Sequence, residues 1–354
     1  MLLDGLHIPV MTPFYPDGRL YLRKLEHNVD RYSQGPGTTL LVLGTTGEAV
    51  MVTDAESREV LKVAAGAAAA DKVLMAGVGR ESVAATLEMC EAAAEFGYDC
   101  VLARTPHYFK PIMQRKDALE MLTYFRTLGD RSPLPVLIYN FPTMMGYDMP
   151  VDVVAELAGH PNVIGMKDSG AGPARIAEIV ARTAEFKRSV TVTNTFAAVT
   201  GRMLATQPGE GAATFVSAEA LSGGAGVAVA PPRAAIKTRT KEVGFQVLTG
   251  VTGTLLEGLK AGANGAILGL ACCSPQACFE VLAAFKDGDM ALAEEKAERL
   301  LAANQRVSVE LGVPGLKYAC DLNGYYGGRP RLPLLPLTGE EQREVQELMA
   351  GIPN

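Results

Sequence analysis

The chain of 354 residues contains no tryptophan. Its six cysteines (Cys90, Cys100, Cys272, Cys273, Cys278 and Cys320) have no metal-ligand spacing with histidine. The adjacent Cys272-Cys273 pair suits neither a disulfide framework nor a zinc site, so buried free thiols are the expectation. No apolar run of 18 residues stands free of charge or glycine turns, which excludes the usual signature of a membrane-spanning helix. No basic leader precedes the first strand-like run, which gives the expectation of a cytoplasmic chain. Charge is unremarkable too: 20% of residues are charged and the net charge is -6, so nothing points to nucleic acid or an acidic membrane. Finally, no phosphate-cradling glycine loop follows the first strand; Thr12-Pro-Phe-Tyr-Pro-Asp-Gly18 is not one.

What is present is a repeat of short apolar runs followed by helical patterns. The runs are 8–11, 38–43, 72–76, 100–103, 136–140, 163–167, 245–249 and 265–270. Helical periodicity covers 20–34, 54–70, 82–96, 117–127, 150–157, 173–186, 254–261 and 275–285. Thr53-Asp-Ala-Glu56 opens the second of these as a capping box. Eight strands alternating with eight helices read as an α/β chain of the (β/α)8 barrel type, spanning 1–288. A doubly wound sheet is the competitor. Beyond the barrel, helical patterns at 290–310, 314–322 and 339–349 form a C-terminal helical extension over 289–354. One stretch breaks the rhythm. Residues 189–241 are rich in Thr, Ala, Gly and Val with almost no period, longer than connections in compact domains usually are. The expectation is an insertion of little order on the barrel's N-terminal face, opposite the chemistry, either part of the mature protein or a retained intron.

Barrels keep chemistry at the C-terminal ends of their strands. Lys167, in Ile164-Gly-Met-Lys-Asp-Ser-Gly170, ends an apolar run; it either emerges to solvent or is held inside as a nucleophile. Tyr139, near the end of Val136-Leu-Ile-Tyr-Asn140, is either core packing or a proton shuttle beside an iminium. Gly44-Thr-Thr-Gly47 offers the Thr45 and Thr46 hydroxyls and closely spaced N–H groups, a cradle for a carboxylate or else a plain capping loop. Glu48 reads as a buried acceptor for loop N–H groups. Tyr108 could relay protons, and its neighbour His107 reads as solvent-facing or structural. A lysine amine, a phenol and a carboxylate cradle are what a Schiff-base aldolase requires, with no cofactor beyond the covalent lysine and no metal.

The motifs Gly44-Thr-Thr-Gly-Glu48, Tyr139-Asn-Phe-Pro142 and Gly165-Met-Lys-Asp168, then Gly250 and Gly265-Ala-Ile267, resemble the dihydrodipicolinate synthase/N-acetylneuraminate lyase family. The resemblance covers 1–188 and 243–350. It implies a barrel with extra C-terminal helices that assembles as a homotetramer or dimer. It further implies Lys167 as the Schiff-base lysine, Tyr139 as acid/base, Thr45 and Thr46 on the substrate carboxylate, and Gly250 and Ile267 lining the site. By the same likeness Tyr108 reaches into a neighbouring subunit's site. Lysine-biosynthetic synthases of the family carry an arginine two residues after the proline of the tyrosine motif, where it binds the aldehyde's carboxylate. Met144 stands there, and a thioether offers no such clamp; no arginine is next to it in sequence. His160-Pro-Asn-Val-Ile-Gly-Met-Lys167 and Gly312-Val-Pro-Gly-Leu-Lys317 with Gly324-Tyr-Tyr-Gly-Gly328 look most like eukaryotic 4-hydroxy-2-oxoglutarate aldolases. The expected reactants are a 2-oxo acid and an aldehyde. Three alternatives stand beside this: the cyclising synthase, a sugar-acid aldolase, and a barrel that binds a small acid without turnover.

Overall fold

Short runs that are apolar at every position make strands only where both faces are dry, which demands a helical jacket. β2 (Thr39–Val42), β3 (Val73–Gly77) and β5 (Val136–Asn140) are buried along their whole length. The computed structural model describes residues 1–115, 118–170, 172–205, 236–352 and 354. Among these, eight parallel strands close a barrel in the order β1-β10-β9-β6-β5-β4-β3-β2. The remaining barrel strands are β1 (Gly5–Pro9), β4 (Cys100–Arg104), β6 (Val163–Asp168), β9 (Gln246–Thr249) and β10 (Gly265–Ile267). β1 seals the ring, pairing His7 with Ile267 on one side and with Thr39 on the other. Side chains alternate along each strand. Leu41, Met75, Leu102, Leu137, Leu248 and Ile267 fill the interior, while Leu40, Leu74, Val101 and Ile138 pack outward under the helices.

The jacket is α1 (Leu22–Ser33), α2 (Asp54–Ala67), α3 (Val83–Glu95), α4 (Leu119–Arg131), α5 (Val151–Ala158), α6 (Pro173–Arg182), α7 (Leu255–Lys260) and α8 (Pro275–Lys286). The Thr53/Glu56 capping box at the start of α2 is present in both directions. The fourth helix begins at Leu119; residue 117, where the periodicity starts it, lies outside the described residues. α9 (Met290–Ala303) runs into a π-helical segment, Asn304–Glu310, rather than staying α-helical to its end. α10 (Gly312–Leu322) and α11 (Gly339–Met349) complete the C-terminal layer. All six cysteines are free and buried. No helix among the described residues is long and apolar enough to cross a membrane.

The irregular stretch is ordered at both ends, against the expectation of little order from Ser189 onward. β7 (Arg188–Thr193) and β8 (Thr238–Val243) form a two-stranded antiparallel ribbon separate from the barrel sheet. The Thr, Val and Arg alternation is a strand pattern too short and too polar to announce itself without its partner some 50 residues on. Residues 206–235 of the expected insertion lie outside the described residues. The ribbon is tied to segments at the barrel's N-terminal end. Arg188 Nη2 donates to the carbonyls of Ala158, His160 and Val163 at 2.6–2.9 Å. Beyond β7, Thr200, Gly201 and Arg202 bond Ala70, Asp99 and Ala68, which flank the starts of β3 and β4.

Candidate active site

β4, β5 and β6 are in register at their C-terminal ends. Arg104 stands beside Tyr139, and Tyr139 beside Lys167. Residues paired across parallel strands point to the same face, so these three side chains form one row at the barrel mouth. Lys167 is 8% exposed, and its Nζ lies 4.2 Å from the centre of the Tyr139 ring. The Tyr139 hydroxyl is in turn 3.2 Å from Thr45 Oγ1. Three separate strand-end segments thus converge on one amine and one phenol.

Gly250 owes its place to this convergence. A Cβ there would lie 2.0 Å from Ser169 Oγ and 2.9 Å from Lys167 Cε, so only glycine leaves room for the lysine stem. Its N–H donates to the Asp168 carbonyl at 2.7 Å, tying β9 to the lysine strand. Ile267 is fully buried in the interior cluster with Tyr139 and Leu248, as part of the floor rather than the mouth. The turn after β2 is bent at both ends, with Leu43 and Glu48 at positive φ (60° and 54°). Non-glycine residues hold that conformation only when their surroundings enforce it. Gly77 enforces part of it by letting β3 approach: a Cβ would meet the Leu43 carbonyl oxygen at 1.9 Å. Gly47 does the same on the other side, where a Cβ would fall 2.8 Å from the Val10 oxygen. Thr45 is exposed to the mouth, and Thr46 is buried one residue further along.

Glu48 is buried and accepts from a loop N–H group, that of Arg331, but its second partner is a lysine. Oε1 is 2.8 Å from Lys317 Nζ, both side chains being 1% exposed, and Oε2 accepts from Arg331 N at 2.8 Å. Lys317 also donates to the carbonyls of Thr12 (2.8 Å), Gly327 (3.1 Å) and Arg329 (3.2 Å). Burial pulls Lys317 below the usual lysine range, while the Glu48 carboxylate pulls the other way. The C-terminal layer therefore grips the Gly44–Thr–Thr–Gly47 turn from behind. Nothing in the sequence near Lys317 announces this, because its partner lies more than 250 residues away.

A second brace lies under Lys167. Asp168 is ion-paired to Arg175 at 2.7 Å and accepts from Gly170 N at 2.6 Å. Asn140 Nδ2 donates to both Asp148 (2.7 Å) and Asp168 (3.3 Å). Asn140 and Asp168 follow Tyr139 and Lys167 directly in sequence, so the brace is built into the same two motifs.

A pocket of about 190 Å³ opens beside the row. Leu43, Ala49, Leu102, Met144 and Met145 give it apolar walls, and Thr45, Tyr139, His107 and Arg104 its polar groups. Met144 lines it with 58% of its surface exposed. The sequence shows no arginine near Met144, yet Arg104 faces the same pocket from β4. The signal for it was available: Arg104 ends an apolar strand as Lys167 does. His107 also lines the pocket rather than simply facing solvent, its Nδ1 lying 2.7 Å from Glu81 Oε1. Tyr108, 77% exposed and edge-on to Phe109, does not join Tyr139 and Thr45 within the chain. Among the described residues no group of three or more His, Cys, Asp or Glu side chains is placed to hold a metal ion.

Comparison with known proteins extends over nearly the whole chain. The family model described as the dihydrodipicolinate synthetase family matches residues 2–206 and 228–351, leaving 207–227 outside the match. The match thus takes in both ribbon strands whole, beyond the limits of the resemblance read from the motifs. A 4-hydroxy-tetrahydrodipicolinate synthase from Acidiphilium cryptum (strain JF-5) is 28% identical over 352 residues, 99% of each chain. One from Xanthomonas axonopodis pv. citri (strain 306) is 35% identical over 181 residues, which is 51% of this chain and 58% of that relative. Among solved structures, a dihydrodipicolinate synthase from Bacillus anthracis superposes with TM-score 0.78 at 23% identity, covering all of both chains. A prophage protein of the dihydrodipicolinic acid synthase family from E. coli K12, solved with pyruvate, gives TM-score 0.75 at 23% identity over 99% and 98% of the two chains. The chain, with its closed eight-stranded barrel and C-terminal helices, belongs to the dihydrodipicolinate synthetase family.

Proposed function

We propose that this protein is a Schiff-base lyase that cleaves a 4-hydroxy-2-oxo acid to pyruvate and an aldehyde, with 4-hydroxy-2-oxoglutarate as substrate and glyoxylate as the aldehyde. The observation that carries the reading is the buried Lys167 amine against Tyr139, whose hydroxyl meets Thr45. The Lys167 amine adds to the C2 ketone, and loss of water gives a protonated iminium. Tyr139, left as phenolate after giving its proton to the departing water, takes the proton from the C4 hydroxyl; the C3–C4 bond breaks, and its electron pair flows into the iminium to leave an enamine. The aldehyde departs. A proton returned to C3 and hydrolysis of the iminium release pyruvate and free the lysine. Thr45, Thr46 and the neighbouring N–H groups would hold the C1 carboxylate, and Ile267 and Gly250 would shape the floor. The iminium is the electron sink, so no further cofactor enters the scheme.

Met144 in the apolar wall supports cleavage over the cyclising synthase, whose reading rests on the names of the full-length relatives. Tyr108 and Phe109, both strongly exposed, would become buried in a dimer or tetramer that carries Tyr108 to a neighbour's site. The test is intact mass after borohydride reduction in the presence of pyruvate. A reduced pyruvyl adduct is expected on the wild type and absent from Lys167→Ala. A well-folded wild type that gains no mass overturns the reading. Product analysis from 4-hydroxy-2-oxoglutarate then separates cleavage from the synthase reaction.

A further inference from the structure

We propose that Arg104 is the specificity-determining residue of this site, a clamp for a carboxylate carried on the aldehyde half of the substrate; the proposal rests on the Schiff-base reading above. The residue comes from the end of β4, in register with Tyr139, which is itself in register with Lys167. Two interstrand spacings therefore separate Arg104 from the lysine, roughly 10 Å between backbones. Arg104 and Tyr139 both line the pocket, and Tyr139, on the strand between the other two, lies against the Lys167 amine. A substrate held at C2 by Lys167, with its C4 hydroxyl at Tyr139, points its next carbon toward Arg104.

The guanidinium is held but not used up. Nη1 alone carries its described contacts, to Glu81 Oε1 (2.8 Å), to the Thr105 carbonyl (3.3 Å) and to His107 Nδ1 (2.9 Å). Nε and Nη2 have no hydrogen-bond partner among the described residues, and a carboxylate takes two parallel N–H donors from such an edge. The side chain is 15% exposed, so an anion meeting it is shielded from bulk water. Among the described residues lining the pocket, Arg104 is the one that carries a permanent charge. Gly79 is part of the construction: a Cβ there would lie 2.5 Å from Arg104 Cγ, so glycine makes room for the arginine stem.

Glu81 does not cancel this charge as a simple partner would. Its Oε2 accepts from the backbone N–H groups of His107 (2.9 Å) and Tyr108 (3.0 Å), which share its negative charge. Burial alone would raise its pKa, yet those N–H groups and Arg104 hold it below the usual carboxylate range. It therefore stays an anchored anion that orients Nη1 and leaves the other edge of the fork free. His107 Nδ1 lies between the two and can accept from Arg104 or, when protonated, donate to Glu81, but not both at once.

An arginine that merely braces the loop through Glu81 would matter equally for every aldehyde. The two roles separate in the reverse reaction, condensing pyruvate with glyoxylate or with glycolaldehyde, in which a hydroxymethyl replaces the carboxylate. Wild-type kcat/KM is expected to favour glyoxylate, and the glyoxylate/glycolaldehyde ratio is expected to fall roughly 10- to 100-fold in Arg104→Met, the worth of a charge-assisted hydrogen-bond pair. Arg104→Lys keeps the charge without the fork and should fall between. Borohydride trapping with pyruvate on the same preparations reports Lys167 separately. Normal trapping with an unchanged ratio in both variants, or a wild type indifferent to the carboxylate, overturns the clamp and leaves the Schiff-base reading intact. A wild type that traps no pyruvate overturns both. The wild-type ratio keeps the proposal falsifiable even if Arg104→Met fails to fold.

Discussion

The two ends of the barrel treat their cations differently. At the N-terminal end, guanidinium groups are used to tie backbone together: Arg188 binds three carbonyls, and Arg202 binds those of Ala68 and Lys72. Burial lowers both arginines below their usual range, and Arg188 Nε and Nη1 and Arg202 Nε are buried without a hydrogen-bond partner. At the C-terminal end, the Lys167 amine rests against a ring rather than a carboxylate, and one edge of Arg104 is unclaimed. Strained backbone occurs at both ends, with Phe196 at positive φ (62°) in the ribbon. Leu43 and Glu48 hold positive φ at the mouth, braced from behind by Lys317 and Arg331. Unpartnered donors occur at both ends, on Arg188 and Arg202 as on Arg104; what differs is that the N-terminal cations bind carbonyls, while those at the mouth stand where the strands end. Parallel strands force this asymmetry, since every strand ends on the same face.

Four substitutions would break or sharpen the contrast. Tyr139→Phe removes the only phenol in the row with Lys167 and should lower kcat by roughly 10²- to 10⁴-fold, the range for loss of a general acid/base; steady-state cleavage assays read it, and pyruvate trapping should survive. Lys317→Met strands the Glu48 carboxylate in the interior and should cost about 3–5 kcal/mol of stability, measured by denaturant unfolding. The companion Lys317→Met/Glu48→Leu should regain much of that, because no charge is then left unpaired. Gly250→Ala pushes a methyl into Ser169 and the Lys167 stem. Displacing the amine by about 1 Å predicts a loss near 10²-fold in kcat/KM, with the far-ultraviolet circular dichroism unchanged. The smallest effect belongs to the other end. Asn194 N already bonds Lys237 O at 3.2 Å, so joining the ribbon strands by a short turn in place of 195–236 should leave pyruvate trapping within about threefold of wild type. A large loss there would show that the N-terminal end contributes to the chemistry after all.

The row at the mouth was legible in part. Lys167 and Tyr139 could be picked out because each closes an apolar run, and Thr45 and Thr46 because glycines flank them. Arg104 obeys the same rule but stands on β4, far in sequence from Met144, so no local motif ties the two together. Asn140 and Asp168 are visible as motif letters, but their bracing role depends on Asp148 and Arg175, which no motif marks. Glu48 was expected to be a buried acceptor; its donors, Lys317 and Arg331, had no local mark. The ribbon was the hardest. Arg188–Thr193 and Thr238–Val243 are polar strands whose pairing is antiparallel and long-range, so neither reads as a strand alone.

The order of strands and helices, the capping of α2 and the position of the lysine were therefore settled by the sequence itself, because periodicity and the end of an apolar run are local properties. What only the tertiary structure decided is who meets whom across the closed ring. Register between β4, β5 and β6 put Arg104, Tyr139 and Lys167 in one row, and the docking of the C-terminal layer buried Lys317 against Glu48. Those meetings depend on barrel closure and on packing between residues far apart in the chain, which no window of neighbouring residues contains.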